Sequence, residues 1–517
     1  MKRKFLISVL TLACASCCAI GLAACNDKNP DDTGRVDPDN YPTYTRPEDN
    51  QETKLKYEYD SASGTYVITQ IGDETNTDIV IPSKINGVYV REIASEAFIG
   101  KSNLTSVTIS DGITTIGARA FANCTKIKSI SIPDSVTTVG ESAFQNCEGM
   151  YGAIIGSGLK NISDAMFSGC YSLRTITIPD NVKSIGSDAF RNCTMLRNIT
   201  MGSGVQTIGN MAFYDCSSLT DVELGSGVQT IGNNVFQDCI NLERIVLPNS
   251  VTYVGIGLLR NCANIKTISV PFVGAFPYLP DEDAHDDSTD AIPPTSDDDD
   301  EGEENPGVSD NSSAIDRTNP RTYGHYGYYF GATSNFDNLS YTNTLFNHSG
   351  STGYYAEGVV TVIITGSAPI CRGAFNQAIG VKSVIITGEM TEIHDQSFGF
   401  AYQLKTLVLP KSIQTLGDGV TLFIDNFTTI YYSGTEADWS SVKIGNDNRN
   451  ITKATKYYNS FYSAEYPEAY KNIKVADTEK PNFDPSTCGR FFHLVSGEFV
   501  AWKFDVTKCN DYVADTE

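Results

Sequence analysis

Seven cysteines recur at a fixed interval of 23 residues, and they are the first candidates for chemistry in this chain. They are Cys124, Cys147, Cys170, Cys193, Cys216, Cys239 and Cys262. Such a row is compatible with metal binding, with disulfides between neighbouring repeats, or with buried free thiols that pack as small apolar groups. Zinc sites need ligands that converge from closely spaced pairs such as CxxC. Because consecutive cysteines lie a whole repeat apart, we expect the buried thiols.

The other reactive residue types form no catalytic pattern. The five histidines are scattered, without an HExxH motif or a nucleophile beside a base. The GSG tripeptides lack the lysine of a phosphate-binding loop. We therefore expect no enzymatic activity, no cofactor and no metal, with a hydrolase kept as an alternative.

One repeat shows which elements must position the cysteines. Residues 171–193 read YSLRTITIPDNVKSIGSDAFRNC. Ile176 and Ile178 alternate with threonines, which is the period of a strand with one buried face. The Pro-Asp pair then turns the chain. After a second short apolar stretch, SDAFRNC is interpreted as a short helical turn with Ser187 as its cap.

A phenylalanine keeps the same interval as the cysteines. It stands at Phe98, Phe121, Phe144, Phe167, Phe190, Phe213 and Phe236, and Leu259 takes the next slot. One coil cannot bury its own apolar side, whereas stacked coils bury a continuous ladder of Ile, Phe and Cys. The pattern predicts an α/β repeat solenoid of roughly 11 coils, each with a strand of a parallel sheet and a short helical turn.

The repeat LxxIxIPxxVxxIGxxAFxxC resembles that of the BspA-type leucine-rich repeat surface proteins of bacteria, over residues 54 to about 455. The resemblance implies a right-handed, leucine-rich-repeat-like solenoid with a parallel sheet on one face. It also implies display at a cell surface. It implies no particular ligand.

The N-terminus is typical of an export signal. Residues 1–24 start with three basic residues and continue as an apolar run that ends in Leu-Ala-Ala before Cys25, which resembles the lipobox of a bacterial lipoprotein. We predict cleavage before Cys25 and lipidation of its thiol, which would hold the protein to the bacterial membrane, facing outside the cytoplasm. An uncleaved anchor and simple secretion are the alternatives.

Changes in composition predict the domain boundaries. Behind the signal peptide, the segments are a flexible tether (25–53), an N-terminal cap with a repeat block (54–271), an acidic disordered insertion (272–322), a Tyr-rich segment with a second repeat block (323–455), and a C-terminal extension with a β-hairpin (456–517). Cys488 and Cys509 bracket that hairpin, and both a disulfide and two free thiols remain open for this exported chain.

The charge of the chain excludes some partners. The formal net charge is −24, and residues 281–304 contain thirteen acidic and no basic side chains. Such a surface repels nucleic acid, so we expect no nucleic-acid partner. The acidic run imitates the start of an EF-hand loop, but Val308 stands where the loop needs Glu. We interpret it as a solvated insertion, with weak calcium binding as the alternative.

The outward positions of the main strands form a first candidate binding surface. Most of them are Ser or Thr, which suit a polar ligand but also suit exposed strands on propensity alone. The candidate contact residues are Thr175, Thr177, Asn198, Thr200, Asp221, Glu223 and Arg244.

A Tyr-rich stretch between residues 323 and 355 is the second candidate surface. Its aromatic rings suit protein or glycan contacts, and packing onto the solenoid is the alternative. The candidates are Tyr323, Tyr326, Tyr328, Tyr341 and Tyr354. We predict a non-catalytic protein that binds a protein or glycan partner in host or cell-cell adhesion. The alternative is a scaffold for other bacterial envelope proteins.

Overall fold

A computed structural model describes residues 55–273, 361–464, 490–495 and 498–501, apart from 73, 74, 76, 256, 371–373, 376, 377 and 379. The chain forms two compact units, one made chiefly of the residues up to Val270 and one chiefly of those from Ile363 onward. Together they contain about 13 turns of a parallel-strand solenoid with very little helix. The predicted leucine-rich-repeat solenoid is therefore confirmed.

A ladder of parallel strands forms the main sheet of the first unit. Thr175, Ile176 and Thr177 pair in register with Asn198, Ile199 and Thr200 of the next coil. Equivalent side chains of neighbouring coils therefore lie side by side. The strands are Asp78–Ile81, Ser106–Ile109, Ser129–Ile132, Gly152–Ile155, Thr175–Ile178, Asn198–Met201, Asp221–Glu223, Arg244–Val246 and Thr267–Val270.

A second, narrower ladder of two-residue strands runs along the first unit. Its apolar residues, such as Ile185 and Ile208, are buried in the core of the coils. The strands are Thr115–Ile116, Thr138–Val139, Asn161–Ile162, Ser184–Ile185, Thr207–Ile208, Thr230–Ile231 and Tyr253–Val254.

The first described residues form a cap on this unit. Strands Leu55–Asp60 and Thr65–Ile71 pair antiparallel, and the second of them pairs in parallel with Val88–Ile93. Strand Lys84–Ile85 pairs antiparallel with Val88–Ile93. Since Val88–Ile93 also pairs with the second ladder at Thr115–Ile116, the hairpin closes the open end of that ladder.

The periodic phenylalanines fill the space inside the coils. The seven rings from Phe98 to Phe236 are fully buried. Neighbouring rings stack with centroids 5.0–5.5 Å apart and interplanar angles of 1–12°. One coil alone would leave its ring exposed, so the stack supplies the core.

The predicted short helical turn is not confirmed, because the SDAFRNC segment is a series of turns. Asp188 and Asn192 have φ of 56° and 59°, in the left-handed region that a helix does not use. The backbone N–H groups of Asp188, Phe190 and Asn192 donate to carbonyl oxygens of the next coil at 2.8–2.9 Å. Since these donors bond between coils, they cannot form the i→i−4 ladder of a helix.

The coil count is also corrected, from roughly 11 to about 13. One coil in each unit departs from the regular interval. Asp78 pairs with Ser106, and Thr429 pairs with Thr455, so each of these two coils is longer than the repeat. A count based on the regular interval therefore misses such longer turns.

The second unit repeats the two-ladder plan. Its main strands are Ser383–Ile386, Thr406–Leu409, Thr429–Tyr432 and Thr455–Tyr457, preceded in the chain by Thr361–Ile364, and its second ladder consists of Glu392–Ile393, Thr415–Leu416 and Lys443–Ile444. Three further strands, Ser460–Tyr462, Arg490–Val495 and Glu498–Ala501, form a sheet of their own.

Helix is confined to two short segments among the described residues. They are Glu436–Trp439 (α1) and Arg449–Lys453 (α2). No helix in the described part of the chain is long and apolar enough to cross a membrane.

Candidate functional site

The seven periodic cysteines are free thiols inside the first unit. Each thiol donates to the backbone carbonyl of a phenylalanine in the preceding coil, as in Cys193 to Phe167 at 3.3 Å. The same carbonyl accepts the backbone N–H of Cys170 in its own coil at 3.1 Å. Each cysteine therefore fills a small apolar slot and gives the carbonyl a second donor.

Burial makes these thiols unreactive. It raises the pKa of Cys124, the first in the row, to about 12. Burial likewise raises the pKa of Cys170 and Cys216 well above the usual value for a thiol. The thiolate is the nucleophile and the metal ligand, and it is not formed here at neutral pH. Among the residues that the structure describes, no group of three or more His, Cys, Asp or Glu is placed to hold a metal ion.

The candidate platform residues of the first unit do share one face. Thr175 and Thr177 lie beside Asn198 and Thr200, and Asp221 lies beside Arg244 of the next strand. All of the candidate platform residues are exposed except Thr175, which is half-buried. The inward residues of the same strands, Ile176 and Val222 among them, are buried. The alternation in the sequence therefore places the candidates at the surface.

One end of this platform is charged. The guanidinium of Arg244 donates to both carboxylate oxygens of Asp221 at 2.9 and 3.1 Å. Glu243, just before the Arg244 strand, pairs with Lys266, just before the next strand, at 2.7 Å. Within the described part of the chain, Glu223 forms no ion pair and is exposed. The platform therefore offers hydroxyl groups and one uncompensated carboxylate to a partner.

A break in the row of hydroxyl groups lies within the platform, and sequence reasoning gave it no role. In strand Gly152–Ile155 the outward positions hold Gly152 and Ile154, in register with Ser129 and Ser131. Ile154 is 46% exposed. Gly152 has no side chain, and a Cβ at this position would contact nothing within 4 Å, so a notch lies beside the exposed Ile154 side chain. Such a notch is the type of site that an apolar anchor of a partner fills.

The corresponding face of the second unit is covered. Ile363, Ile385 and Val408 form a buried cluster, with Tyr431 and Tyr462 packed against it. Runs such as TLVL and SVII are apolar on both faces, which is the signal of strands buried on both sides. That signal was present in the sequence, and it separates the two repeat blocks.

The covering side chains come from the C-terminal strands. The Tyr431 ring stacks on Tyr457 at 5.1 Å between centroids and lies 4.6 Å from the Phe492 ring. Strand Arg490–Val495, which carries Phe492, pairs with Ser460–Tyr462. The main-sheet face is therefore closed in the second unit and open in the first.

Several candidates lie outside the described residues, and the hypotheses about them stay predictions. They belong to the N-terminal segments, the Tyr-rich segment and the C-terminal extension. The candidates concerned are Cys25, Tyr323, Tyr326, Tyr328, Tyr341, Tyr354, Cys488 and Cys509.

The fold defines a class of protein, the leucine-rich-repeat solenoids, which are typically non-catalytic scaffolds. The model of the family BspA type Leucine rich repeat region matches six copies of its repeat, within residues 75–196, 160–275 and 350–464. The chain belongs to this family. No enzyme family is indicated, and among curated proteins no sequence matches.

The chain is similar to solved structures of leucine-rich repeat proteins from several bacteria. A leucine-rich repeat protein from Bacteroides ovatus is 16% identical, with a TM-score of 0.37, over 80% of this chain and 100% of that one. A leucine rich cell surface protein from Faecalibacterium prausnitzii is 19% identical, with a TM-score of 0.39, over 77% and 98%. A leucine rich repeat protein from T. pallidum is 27% identical, with a TM-score of 0.33, over 42% and 91%.

Proposed function

We propose that the protein is a lipid-anchored surface protein that binds a protein or glycan through the open platform of its first unit, without changing it chemically. The observation that carries this proposal is the contrast between the two units. The outward strand residues from Thr177 to Arg244 are exposed and polar in the first unit, whereas Ile385 and Val408 are buried in the second. An uncovered face of the main sheet is the surface that stacked coils leave for a partner.

The anchoring follows from the N-terminal sequence. Cleavage before Cys25 would remove residues 1–24, and a lipid on Cys25 would hold the chain to the membrane. Residues 26–53 contain four prolines and mixed charges. As a flexible coil they would separate the solenoid from the lipid by roughly 30 Å on average.

Adhesion to a host or neighbouring cell is the role that this arrangement supports. The platform has hydroxyl groups, one free carboxylate and the Ile154 notch, and these suit hydrogen bonding to a polar partner with a single apolar anchor. The Tyr-rich residues between 323 and 355 are a second surface under the same proposal. Their rings suit the same two partner classes.

An array of immobilised matrix proteins and glycans tests the proposal. We expect the full-length chain to be retained by a member of the array, and retention to fall when platform residues are replaced. If the array retains nothing and the chain instead pulls down a bacterial envelope protein, the scaffold role replaces adhesion. Turnover of any array component would contradict both functions.

A further inference from the structure

The last coil of the second unit is longer than its neighbours, and the extra residues open a cleft. Glu392 pairs with Thr415 at the regular interval, whereas the partner of Thr415 in the next coil, Lys443, lies beyond that interval. The additional residues lie between the main strand and the second ladder, where α1 (Glu436–Trp439) is inserted. A cavity of about 350 Å³ lies at this point, lined by residues of both coils.

Two packed apolar side chains lie beneath the cleft. They are Ile413 and Tyr432, with 3% and 1% of their surfaces exposed. The Tyr432 ring meets the Trp439 ring edge to face, with centroids 5.2 Å apart. Its hydroxyl donates to the carbonyl of Lys411 at 3.2 Å. The cleft is therefore held open by packed side chains and is formed before any ligand arrives.

The walls of the cleft are polar and carry a net positive charge. Lys411 and Lys443 both line it, together with one carboxylate, that of Asp438. This carboxylate already accepts hydrogen bonds from the backbone N–H and the hydroxyl of Thr435, at 2.8 and 2.7 Å. Hydrogen bonds from Thr435, followed by the charge of Lys411, hold the pKa of Asp438 below its usual value.

Neither lysine of the cleft is held in a salt bridge by a described residue. Among the described residues, neither Lys443 nor Lys411 forms an ion pair within 4.0 Å, and both side chains are exposed. Two ammonium groups against one carboxylate leave one positive charge in the cleft, which attracts a small anion to this otherwise acidic chain. One carboxylate balances the charge, since Asp438 already offsets one of the two lysines.

The remaining wall residues indicate what accompanies that anionic group. Gln414, Thr415 and Ser441 contribute an amide and two hydroxyl groups. Amides and hydroxyls both donate and accept hydrogen bonds, as sugar hydroxyl groups require. The cavity volume lies at the lower end of the range for small-molecule sites, about 300–1,000 Å³, and admits one or two sugar rings.

We propose that this cleft binds an acidic saccharide, with the sugar carboxylate at Lys443 and Lys411 and the sugar hydroxyls at Gln414, Thr415 and Ser441. The site lies in the second unit and does not depend on the platform of the first. Binding at either place can therefore fail without the other.

Calorimetric titration of the full-length chain with glucuronate tests the proposal. Glucose and acetate are the controls, since one lacks the carboxylate and the other lacks the hydroxyls and the ring. We expect glucuronate to bind at least about tenfold more tightly than either, because the pair of ammonium groups and the polar wall each contribute. Equal binding of acetate or of inorganic phosphate, or no binding of glucuronate, would overturn the assignment.

Two variants locate the binding. Lys443→Met should weaken glucuronate binding by about tenfold or more, the effect of losing one charged hydrogen bond. Lys405→Met replaces an exposed lysine that does not line the cleft and should leave the affinity unchanged. Since both lysines are exposed, both variants should fold, and circular dichroism checks this. Equal affinities for the two variants would contradict the site.

Discussion

The stacked rings at Phe190 predict a loss of stability that can be compared with a matched variant. The Phe190 ring lies 5.5 Å from that of Phe167 and 5.1 Å from that of Phe213, with interplanar angles of 12° and 4°. Phe236 stacks on Phe213 at 5.4 Å. On its other side the ladder continues with Leu259, which is fully buried. Phe190 therefore has two ring neighbours in the ladder and Phe236 has one.

Leucine at these positions isolates the contribution of the ring pairs. The buried Leu259 shows that the slot accepts leucine. A stacked aromatic pair contributes roughly 0.5–1.5 kcal/mol beyond its buried area. Loss of the ring pairs should lower the free energy of unfolding by about 2 kcal/mol for Phe190→Leu, which breaks two pairs, and by about 1 kcal/mol for Phe236→Leu, which breaks one. The loss of apolar volume is the same in both variants and cancels in their difference.

Urea denaturation of the full-length chain, followed by far-UV circular dichroism, measures this difference. We expect the Phe190→Leu protein to be the less stable of the two by about 1 kcal/mol. Equal losses, or a larger loss for Phe236→Leu, would show that ring stacking between coils contributes nothing beyond burial.

Two further predictions concern titratable groups of the first unit. Burial and the charge of the nearby Asp238 raise the pKa of Asp215. The free energy of unfolding therefore falls as the pH rises through this pKa and Asp215 ionises. Asp215→Asn should therefore raise the melting temperature at neutral pH, and this gain should vanish near pH 3, where the carboxylate is protonated. The control is Asp425→Asn, which changes an exposed carboxylate. A gain in melting temperature that does not depend on pH would refute the argument. Iodoacetamide labelling of the native chain, mapped by peptide mass spectrometry, should spare the seven buried cysteines until denaturant is added. Native labelling of any of them would contradict the burial of the ladder.

The core of the repeat could be predicted from the sequence because it depends on periodicity. The regular interval places Phe190 and Cys193 next to their counterparts in the neighbouring coils, and inward packing follows from stacking alone. The conformation of the SDAFRNC segment could not be predicted in this way. Its left-handed residues, Asp188 and Asn192, donate hydrogen bonds to the next coil, and helix propensity does not account for such partners.

The open and the covered faces of the main sheet also differ in how far the sequence predicts them. The open platform follows from strand alternation around residues such as Thr177 and Thr200. The covered face of the second unit was also signalled by apolar runs such as TLVL, but the side chains that cover it come from distant strands, including that of Phe492. The saccharide cleft depends on how a short insertion packs against Tyr432, which no local pattern reports.

The binding role of the platform is tested most directly by two double arginine variants, whose affinities for the partner that the array retains are compared. Thr177→Arg with Thr200→Arg alters two exposed, neighbouring platform positions, whereas Thr138→Arg with Thr207→Arg alters two exposed positions of the second ladder. Surface plasmon resonance should show at least about a tenfold loss of affinity for the first pair, since bulky charges there block close contact. The second pair should bind like the unmodified chain. Equal affinities for the two pairs would contradict the assignment of binding to the platform.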